Sequence, residues 1–446
     1  MCNDCQDHES VNMGILLQSL PKSLQNEISE VCRKKYFYLK ELGLDANLLF
    51  HDRHMLGRKI YKLISSGKYQ HQILKRSIMN EGTKERIVYK LGFIDRVISG
   101  ACQKIIAVQI DDHYQNGLYS YRKNYNRMNS VNDFLKYLKD YKSKTPDIRQ
   151  RGLYVMRFDI KDYGACVPVH QDSALWPQYK NIFAHDCYGK GFDADDFTLI
   201  RKFIDPDILT DAGLAPNRNG VVIGSPLTVL ILNLYLRPLD EYLYNIPDTF
   251  YTRFGDDMIF VTPDLNTLKE TQVKISEILS GLELNYNEAK AMLINFNNAG
   301  RMAGGIKGAH KFEYLGVSIG FDGQIEIKTQ KLADLMKVLK KRLRIVSSSC
   351  ENIGITDVDI KGRAIAQDLN NGFNIKSPFF ISQLEILSLI NSKKQLMHID
   401  YTLALMIAET LSGIKGVRAF RQIPYRRIRA WGLQSLAYKS RTRLAS

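Results

Sequence analysis

The sequence predicts an α+β fold, with an antiparallel sheet between two helical regions, on three observations. Residues 250–262 have the composition of two β-branched and aromatic strands around a tight turn that contains Gly255 and two aspartates, which indicates a β-hairpin. Residues 153–160 form an apolar run that predicts another strand, near whose end Asp159 stands. Apolar residues at helical spacing in the N-terminal and C-terminal parts of the chain predict the helical regions.

Length and composition limit the class of protein. With 446 residues the chain is long enough to bury a substantial core and to form two or three subdomains. Its net charge of +15 favours a polyanionic partner, most simply nucleic acid. No apolar run reaches 18 residues, so we expect no transmembrane helix and no membrane partner. Seven scattered cysteines, an odd number, are typical of reduced thiols in a cytoplasmic protein.

The N-terminal segment, residues 11–74, is expected to be helical because apolar residues recur in it at helical spacing. Its bases Arg53, Arg58 and Lys59 fit either a solvated face or contacts to RNA, and the residue pattern does not separate the two. A basic hairpin is expected after it, over residues 83–98.

Three aspartates stand at or near the ends of predicted strands: Asp159, Asp256 and Asp257. Aspartate is a common turn residue, so the pair at the hairpin taken alone indicates an ordinary turn. If the two predicted strands are neighbours in one antiparallel sheet, however, Asp159 and Asp256 meet at its edge. Three carboxylates there suit two divalent metals roughly 4 Å apart, as in two-metal phosphoryl transfer. Magnesium fits such a site because it prefers oxygen ligands and retained waters.

Five segments occur in a characteristic order along the chain. They are the basic hairpin over residues 83–98, Phe-Asp-Ile-Lys-Asp at the start of 158–165, Gly-Ser-Pro at 224–226 within 220–240, Phe-Gly-Asp-Asp in the hairpin 250–262, and the segment 311–319. In this order they resemble the reverse transcriptases, and within them the bacterial group that includes retron, group II intron and phage-defence enzymes. The resemblance covers over half of the chain.

The resemblance implies a right-hand polymerase fold with fingers, an antiparallel palm sheet and a helical thumb. We expect a helical N-terminal extension over residues 1–75, fingers and palm over 76–325, and a helical thumb with a basic tail over 326–446. The implied activity is RNA-directed DNA polymerisation. Its partners are an RNA template or non-coding RNA, a DNA primer or product, and deoxynucleoside triphosphates.

The resemblance also implies the cofactors and the residues that hold them. Two Mg²⁺ ions are expected in one active site, with Mn²⁺ able to substitute. Asp159 and Asp256 are the expected ligands, with Asp257 in support and Ile160 at the same site. Lys290 matches a lysine placed near the leaving pyrophosphate, a candidate general acid, although a plain surface lysine fits equally well.

Other residues correspond by resemblance to nucleotide and nucleic-acid contacts. Lys84 and Arg86 match bases that contact the triphosphate, and a merely surface-charged hairpin is the alternative. Tyr121 and Arg122 lie in a segment of interleaved tyrosines and bases that suits a single strand, although core packing of the tyrosines is equally open.

Two positions near the expected nucleotide site depart from the family pattern. An aromatic commonly stands five residues after the first aspartate and blocks a ribose 2′-hydroxyl; here this residue is Gly164. The sugar gate is then open, or Tyr163 takes its place, although in an extended segment Tyr163 would point to the opposite face. Ile223 replaces a usual glutamine, which suggests altered nucleotide or template handling. Gly224 allows close approach of the backbone, and a helix is expected to start at residues 224–226.

The C-terminal part contains further candidate nucleic-acid contacts. Leu315 and Gly316 match the turn of the primer-grip hairpin. The tail beyond residue 415 is basic, contains aromatics, and is expected to contact RNA. Its candidate contacts are Arg426, Arg427 and Arg429.

A separate acidic group, Asp193, Asp195 and Asp196, is expected to be a solvated helix start rather than a metal site, because acidic residues favour helix N-termini.

The function that these observations favour is a reverse transcriptase in a bacterial anti-phage defence or retron-like system, the last step resting on analogy. Two alternatives stay open. Gly164 and Ile223 indicate a template-independent or ribonucleotide-accepting nucleotidyltransferase. A non-catalytic RNA-binding scaffold is the other alternative, and the presence of all three aspartates counts against it. A homo-oligomer or an accessory protein also stays open.

Overall fold

The structure is a computed structural model that describes residues 15–81, 84–145, 147, 152–170, 172–183, 194–210, 213–285, 291–374 and 382–438. The chain forms two compact units. Unit 1 comprises Met1–Asn126 and Met156–Met292, and unit 2 comprises Arg127–Val155 and Leu293–Ser446.

Helices precede and follow the part of the chain that contains the strands, with α helices over 15–65 and 329–430 and all described strands between residues 74 and 327, as expected for an α+β fold. The helices are α1 (Ile15–Lys34), α2 (Tyr36–Glu41), α3 (Ala46–His51), α4 (Arg53–Ser65), α5 (Phe93–Ile110), α6 (Arg127–Lys144), α7 (Tyr163–Cys166), α8 (Leu175–Phe183), α9 (Ala194–Ile204), α10 (Thr228–Tyr235), α11 (Arg237–Tyr244), α12 (Leu265–Gly281), α13 (Thr329–Asn352), α14 (Val358–Gly372), α15 (Lys393–Ser412), α16 (Ala419–Gln422) and α17 (Tyr425–Ala430). The strands are β1 (Leu74–Glu81), β2 (Lys84–Tyr89), β3 (Leu153–Phe158), β4 (Asp207–Thr210), β5 (Gly213–Pro216), β6 (Phe250–Phe254), β7 (Asp257–Thr262), β8 (Met292–Phe296), β9 (Gly308–Ala309), β10 (Lys311–Tyr314), β11 (Val317–Gly320) and β12 (Ile325–Ile327).

The N-terminal helices of unit 1 confirm the helical spacing of that segment. Leu16, Leu20, Leu24 and Ile28 of α1 recur every four residues and are all fully buried, where α1 packs against α4 and α5. Apolar residues at this spacing line one face of a helix, so their burial is the main source of its stability. The helical segment ends earlier than the expected residue 74, because α4, its last helix, ends at Ser65.

The start of α9 differs from the expectation of a solvated acidic cluster. Asp196 is fully buried, and its carboxylate accepts hydrogen bonds from the backbone N–H groups of Leu16 and Leu17, each at 3.1 Å. These two groups stand at the start of α1, where helical N–H groups lack partners within the helix. The acidic residue therefore stabilises the N-terminus of another helix. Asp195 is exposed as expected, and Asp193 lies outside the described residues.

A four-stranded sheet in unit 1 has the strand order β2–β1–β4–β5. Its antiparallel hairpin β1–β2 overlaps the basic hairpin expected over residues 83–98 only through β2, since the partner strand β1 precedes that range, with Glu81 opposite Lys84 and Met79 opposite Arg86. The expected hairpin continued to residue 98, but α5 begins at Phe93. Asp95 of that helix is buried and accepts a hydrogen bond from the Tyr69 hydroxyl at 2.7 Å, so its role is structural.

The hairpin predicted over residues 250–262 is formed by β6 and β7, which pair antiparallel with Phe254 opposite Asp257. Strand β3 is the next neighbour of β7. The residues Met258–Val261 are fully buried, and α12 packs against β7. The predicted strands are therefore confirmed. The packing of β7 against α12 fixes the position of the hairpin.

Unit 2 contains the three-stranded antiparallel sheet β10–β11–β12 and the helices α6 and α13 to α17. Strand β8 pairs in parallel with β9, with Asn295 opposite Gly308. A cluster of rings packs edge to face around Phe296, whose neighbours Phe312 and Phe321 lie 5.0 and 5.1 Å away between ring centroids. Within the described ranges of both units, no helix is long and apolar enough to cross a membrane.

Candidate active site

The turn of the β6–β7 hairpin and the end of β3 bring the three predicted aspartates to one edge of the sheet. Because Phe254 pairs with Asp257, only Gly255 and Asp256 form the turn. Gly255 has φ of +70°, a left-handed conformation that glycine adopts without steric cost. Asp159 follows directly after β3, the neighbour of β7. Asp256 is exposed, whereas the other two aspartates are half-buried.

The three carboxylates influence one another electrostatically. Burial raises the pKa of Asp257, Arg157 opposes this effect, and the negative charges of Asp256 and Asp159 raise the pKa further. Like charges interact in this way only when they are close in a partly desolvated site. The structure thus gathers the acids that the sequence singled out.

Asp257 has a different environment from the other two aspartates. Both of its carboxylate oxygens accept hydrogen bonds from Arg157, from Nε at 2.9 Å and from Nη2 at 3.1 Å. Such a two-pronged pair fixes a carboxylate in orientation as well as in charge. The sequence interpretation missed Arg157, although a signal was present: a base inside an apolar strand, two residues before Asp159 and so on the same face of β3.

The donor set at this edge fits a divalent cation in its chemistry. Carboxylate oxygens are the ligands that Mg²⁺ prefers, and the carboxylates of Asp159 and Asp256 stand at this edge beside Asp257. The side chain of Ile160 is apolar and buried, so only its backbone carbonyl is suited to coordination. Across the described ranges, no three His, Cys, Asp or Glu side chains are arranged as a metal site.

Tyr163 is a buried residue of the core. Its segment is the short helix α7 rather than an extended strand, entered through Asp162 with a left-handed φ of +48°. The ring is buried, and the hydroxyl donates to the backbone oxygen of Leu232. Burial raises the pKa of Tyr163 well above its ordinary value. Tyr163 is therefore packed in the core, and its role as a sugar gate stays a prediction.

The two positions that depart from the family pattern face each other. A Cβ added to Gly164 would lie 3.8 Å from Cδ1 of Ile223 and 3.9 Å from Cγ2 of Val221, which is ordinary van der Waals contact. Gly164 and Ile223 are both half-exposed. Neither a backbone clash nor a positive φ requires glycine at position 164, so its effect is to leave space beside Ile223.

Gly224, in contrast, is required by the local backbone. It has φ of +119°, and an added Cβ would lie 2.5 Å from the backbone oxygen of Tyr89. The Tyr89 N–H donates to the Ile223 oxygen at 2.9 Å, and Arg96 Nη1 donates to the Gly224 oxygen at 2.9 Å. The turn is thus fastened to the end of β2 and to α5. The helix expected at residues 224–226 begins only at Thr228, because these contacts hold the preceding residues in a turn.

Lys84 and Arg86 lie on β2, which ends at this same turn. The structure describes their backbone, and their contact with a triphosphate stays a prediction. Lys290 lies outside the described residues, and its role as a general acid stays a prediction as well.

The segment around Tyr121 and Arg122 has a structural role that the sequence did not show. All five N–H groups of Arg122 have acceptors: Asp111 through its carboxylate and backbone oxygens, and the backbone oxygens of Gln115 and Leu118. No N–H group remains for a phosphate in this conformation. Tyr121 is exposed, with φ of +57°, and is available for stacking.

The predicted nucleic-acid contacts of unit 2 differ in how accessible they are. Leu315 and Gly316 form the two-residue turn between β10 and β11, with φ of +47° and +85°, as expected for a hairpin. Arg426 is exposed. Arg427 instead makes a two-pronged ion pair with Asp359 at 2.9 and 2.8 Å. Contact of these residues, and of Arg429, with primer or RNA stays a prediction.

Comparison with known proteins identifies the family of this segment. Residues 78–319, more than half of the chain, match the family described as "Reverse transcriptase (RNA-dependent DNA polymerase)". No curated protein sequence matches the chain.

Two solved structures are similar to the chain at low identity. Apo telomerase from Candida tropicalis, truncated from the C-terminal domain, is 15% identical with a TM-score of 0.45, over 62% of this chain and 60% of that one. Telomerase from Candida albicans, in complex with the TWJ fragment of telomeric RNA, is 13% identical with a TM-score of 0.44, over 81% of this chain and 62% of that one. The chain thus spans about three fifths of the length of these telomerase chains.

Proposed function

Because the chain belongs to the reverse transcriptase family, we propose that it is an RNA-directed DNA polymerase that adds deoxynucleotides to a DNA primer by two-metal nucleotidyl transfer. The observation that carries the proposal is the meeting of Asp159 and Asp256 at one sheet edge, beside Asp257. Acidic side chains in this arrangement have no evident packing role; burial first, and then the charges of Asp256 and Asp159, raise the pKa of Asp257.

In the proposed reaction the 3′-hydroxyl oxygen of the primer forms a bond to the α-phosphorus of a deoxynucleoside triphosphate. The bond from that phosphorus to the bridging oxygen breaks, pyrophosphate leaves, and the hydroxyl proton is released. Asp159 and Asp256 would hold two Mg²⁺ ions, which when bound neutralise the charge on the attacking and leaving oxygens. Arg157 keeps Asp257 oriented beside them.

The turn at Gly224 and the space beside Gly164 form the proposed wall of the nucleotide site. The fixed backbone at Gly224 presents Ile223 to Gly164. This wall supports a second candidate function, a nucleotidyltransferase that also accepts ribonucleotides, because the glycine leaves room where a bulky ring would exclude a 2′-hydroxyl.

The biological setting that we propose is a bacterial anti-phage defence or retron-like system, with a non-coding RNA as template. Its support is the order of the sequence motifs, from the basic hairpin to residues 311–319. This step is analogy, and identification of the nucleic acid that copurifies with the protein tests it.

The chemistry is tested by replacing the two proposed ligands. Asp159→Ala and Asp256→Asn are expected to abolish primer extension on an RNA template while the thermal unfolding midpoint stays close to wild type, because neither change removes an apolar side chain from the core. Asp112→Asn, a change to an exposed aspartate outside the site, is the matched control and should extend normally. Wild-type product yield from either site variant would contradict the two-metal assignment.

A further inference from the structure

Behind the turn that carries Asp256 lies a fully buried polar network in unit 1. Its members are Ser120, Asn233, Asp240 and Arg253, each no more than 1% exposed. Burying so many polar groups is costly unless every one of them has a partner. The network therefore calls for an explanation that burial of apolar surface does not provide.

Arg253 connects the network to the turn. Its Nε and Nη2 donate to the two carboxylate oxygens of Asp240, and Nη2 also donates to the backbone oxygen of Asn233 at 3.1 Å. Its Nη1 donates to Asn233 Oδ1 at 3.4 Å and to the backbone oxygen of Gly255 at 3.1 Å. All five N–H groups are used, which only the planar fork of an arginine achieves. Burial lowers the pKa of Arg253, but Asp240 outweighs this and the pKa is raised.

Ser120 holds the turn from the other side. The Gly255 N–H donates to Ser120 Oγ at 2.9 Å, and this hydroxyl donates in turn to Asn233 Oδ1 at 3.2 Å. The Asn233 side chain returns a hydrogen bond to the Ser120 backbone oxygen at 2.9 Å. The segment before Ser120 also runs alongside β6, where the N–H of Arg253 donates to the Gly117 oxygen at 2.8 Å.

We propose that Ser120, Asn233, Asp240 and Arg253 form a clamp that fixes Asp256 by holding both backbone polar groups of the preceding residue, Gly255. The four are positioning residues, since none of them faces the reacting atoms. Glycine has more conformational freedom than any other residue. The backbone conformation of the turn at Gly255 therefore depends on the hydrogen bonds that hold this residue. The proposal rests on the proposed polymerase function.

Catalysis of this kind depends on fixed geometry. Displacement of a catalytic group by about 1 Å is enough to lower a rate about 100-fold. The clamp accounts for the presence of a buried ion pair directly beneath the turn, where an apolar pair would pack well but would not hold the two polar groups of Gly255.

The test is steady-state primer extension with Ser120→Ala, which removes one hydroxyl, and with Arg253→Lys, which keeps the charge but not the fork. We expect kcat to fall about 10- to 100-fold, with the KM for the nucleotide within about threefold of wild type. The Mg²⁺ concentration for half-maximal rate should rise, because Asp256 is displaced. Tyr235→Phe is the matched control: it removes a buried hydroxyl that donates to the Leu282 oxygen at 2.7 Å, away from Gly255.

The outcomes separate the clamp from the function on which it rests. An inactive wild-type protein would overturn the polymerase assignment itself. An active wild type with unchanged kcat in both variants would overturn the clamp. The clamp would also be overturned if kcat fell in Tyr235→Phe as well, and if in all variants the fall in kcat were proportional to the fall in thermal stability. That result would show a purely structural role. If Arg253→Lys does not fold, Ser120→Ala alone decides.

Discussion

Selection of the sugar is the property for which the structure gives the sharpest expectation. Gly164 leaves space beside Ile223, and an added Cβ would make only ordinary contacts at 3.8 and 3.9 Å. The wild-type protein should therefore incorporate some ribonucleotide with Mg²⁺ or Mn²⁺. A pocket that merely tolerates an extra hydroxyl rejects it poorly.

Gly164→Phe places a ring in this space and should raise the preference for deoxynucleotides. Steric differences of this size discriminate by about 10- to 100-fold, equivalent to about 1.4 to 2.7 kcal/mol in the transition state. Gly164→Ala is the control for the fold. Because its Cβ fits without displacement and alanine is the better helix former, this variant should be as stable as wild type or more stable by up to about 1 kcal/mol.

The measurement is competition between a deoxynucleotide and the matching ribonucleotide on one defined template, read as the ratio of the two kcat/KM values. Tyr163→Phe is the second control, since it removes only the hydroxyl that donates to Leu232, and the ratio should not change. An unchanged ratio in Gly164→Phe would refute the reasoning. Strict deoxynucleotide use by the wild type that is lost in Tyr163→Ala would show that Tyr163 is the gate.

Two further predictions concern the C-terminal helices of unit 2. Replacing Arg426 and Arg429 with Ala should weaken RNA binding and reduce the slope of log K against log salt by about 0.7 to 0.9 for each lost phosphate contact, whereas Arg427→Ala should mainly lower thermal stability; an unchanged slope would indicate a solvated face. The second prediction is that α17 undocks in acid. Hydrogen bonds from Arg427 and then Trp431 lower the pKa of Asp359 to about 2, below its ordinary 3.8. The ion pair between Arg427 and Asp359 therefore stabilises the docked position of α17 fully above pH 3.8. This stabilisation is lost as the pH falls through about 2. Trp431 fluorescence in a Trp176→Phe background should report this transition, and Asp359→Asn should abolish its pH dependence; an identical acid transition in that variant would contradict the assignment.

Local patterns determined the elements of the active site. The hairpin β6–β7 and the strand β3 are visible in the sequence because short apolar runs and a glycine turn act over a few residues. The identity of the three aspartates and their placement near strand ends follow from the same stretches. The family resemblance then supplied their relation to each other, and the strand order confirmed that β3 is the neighbour of β7.

Contacts between distant residues were decided only by the tertiary structure. The partner of Arg157 is Asp257, 100 residues further along the chain, and the partners of Asp196 are the N–H groups of Leu16 and Leu17. A charged side chain in the sequence shows that a partner is needed but not which residue supplies it. An acidic group such as the one at the start of α9 has the same composition whether it is exposed to solvent or caps another helix in the core.

The sequence likewise did not determine the direction of side chains near the proposed nucleotide site. The segment at Tyr163 forms a short helix after a left-handed residue, and the turn at Gly224 is held by β2, so neither follows from local propensity. The sequence by itself determined which chemistry the chain carries, because residue types and short spacings encode it. The tertiary structure decided which groups face the site and which are committed to the core, because burial and hydrogen-bond partners depend on elements that are far apart in the chain.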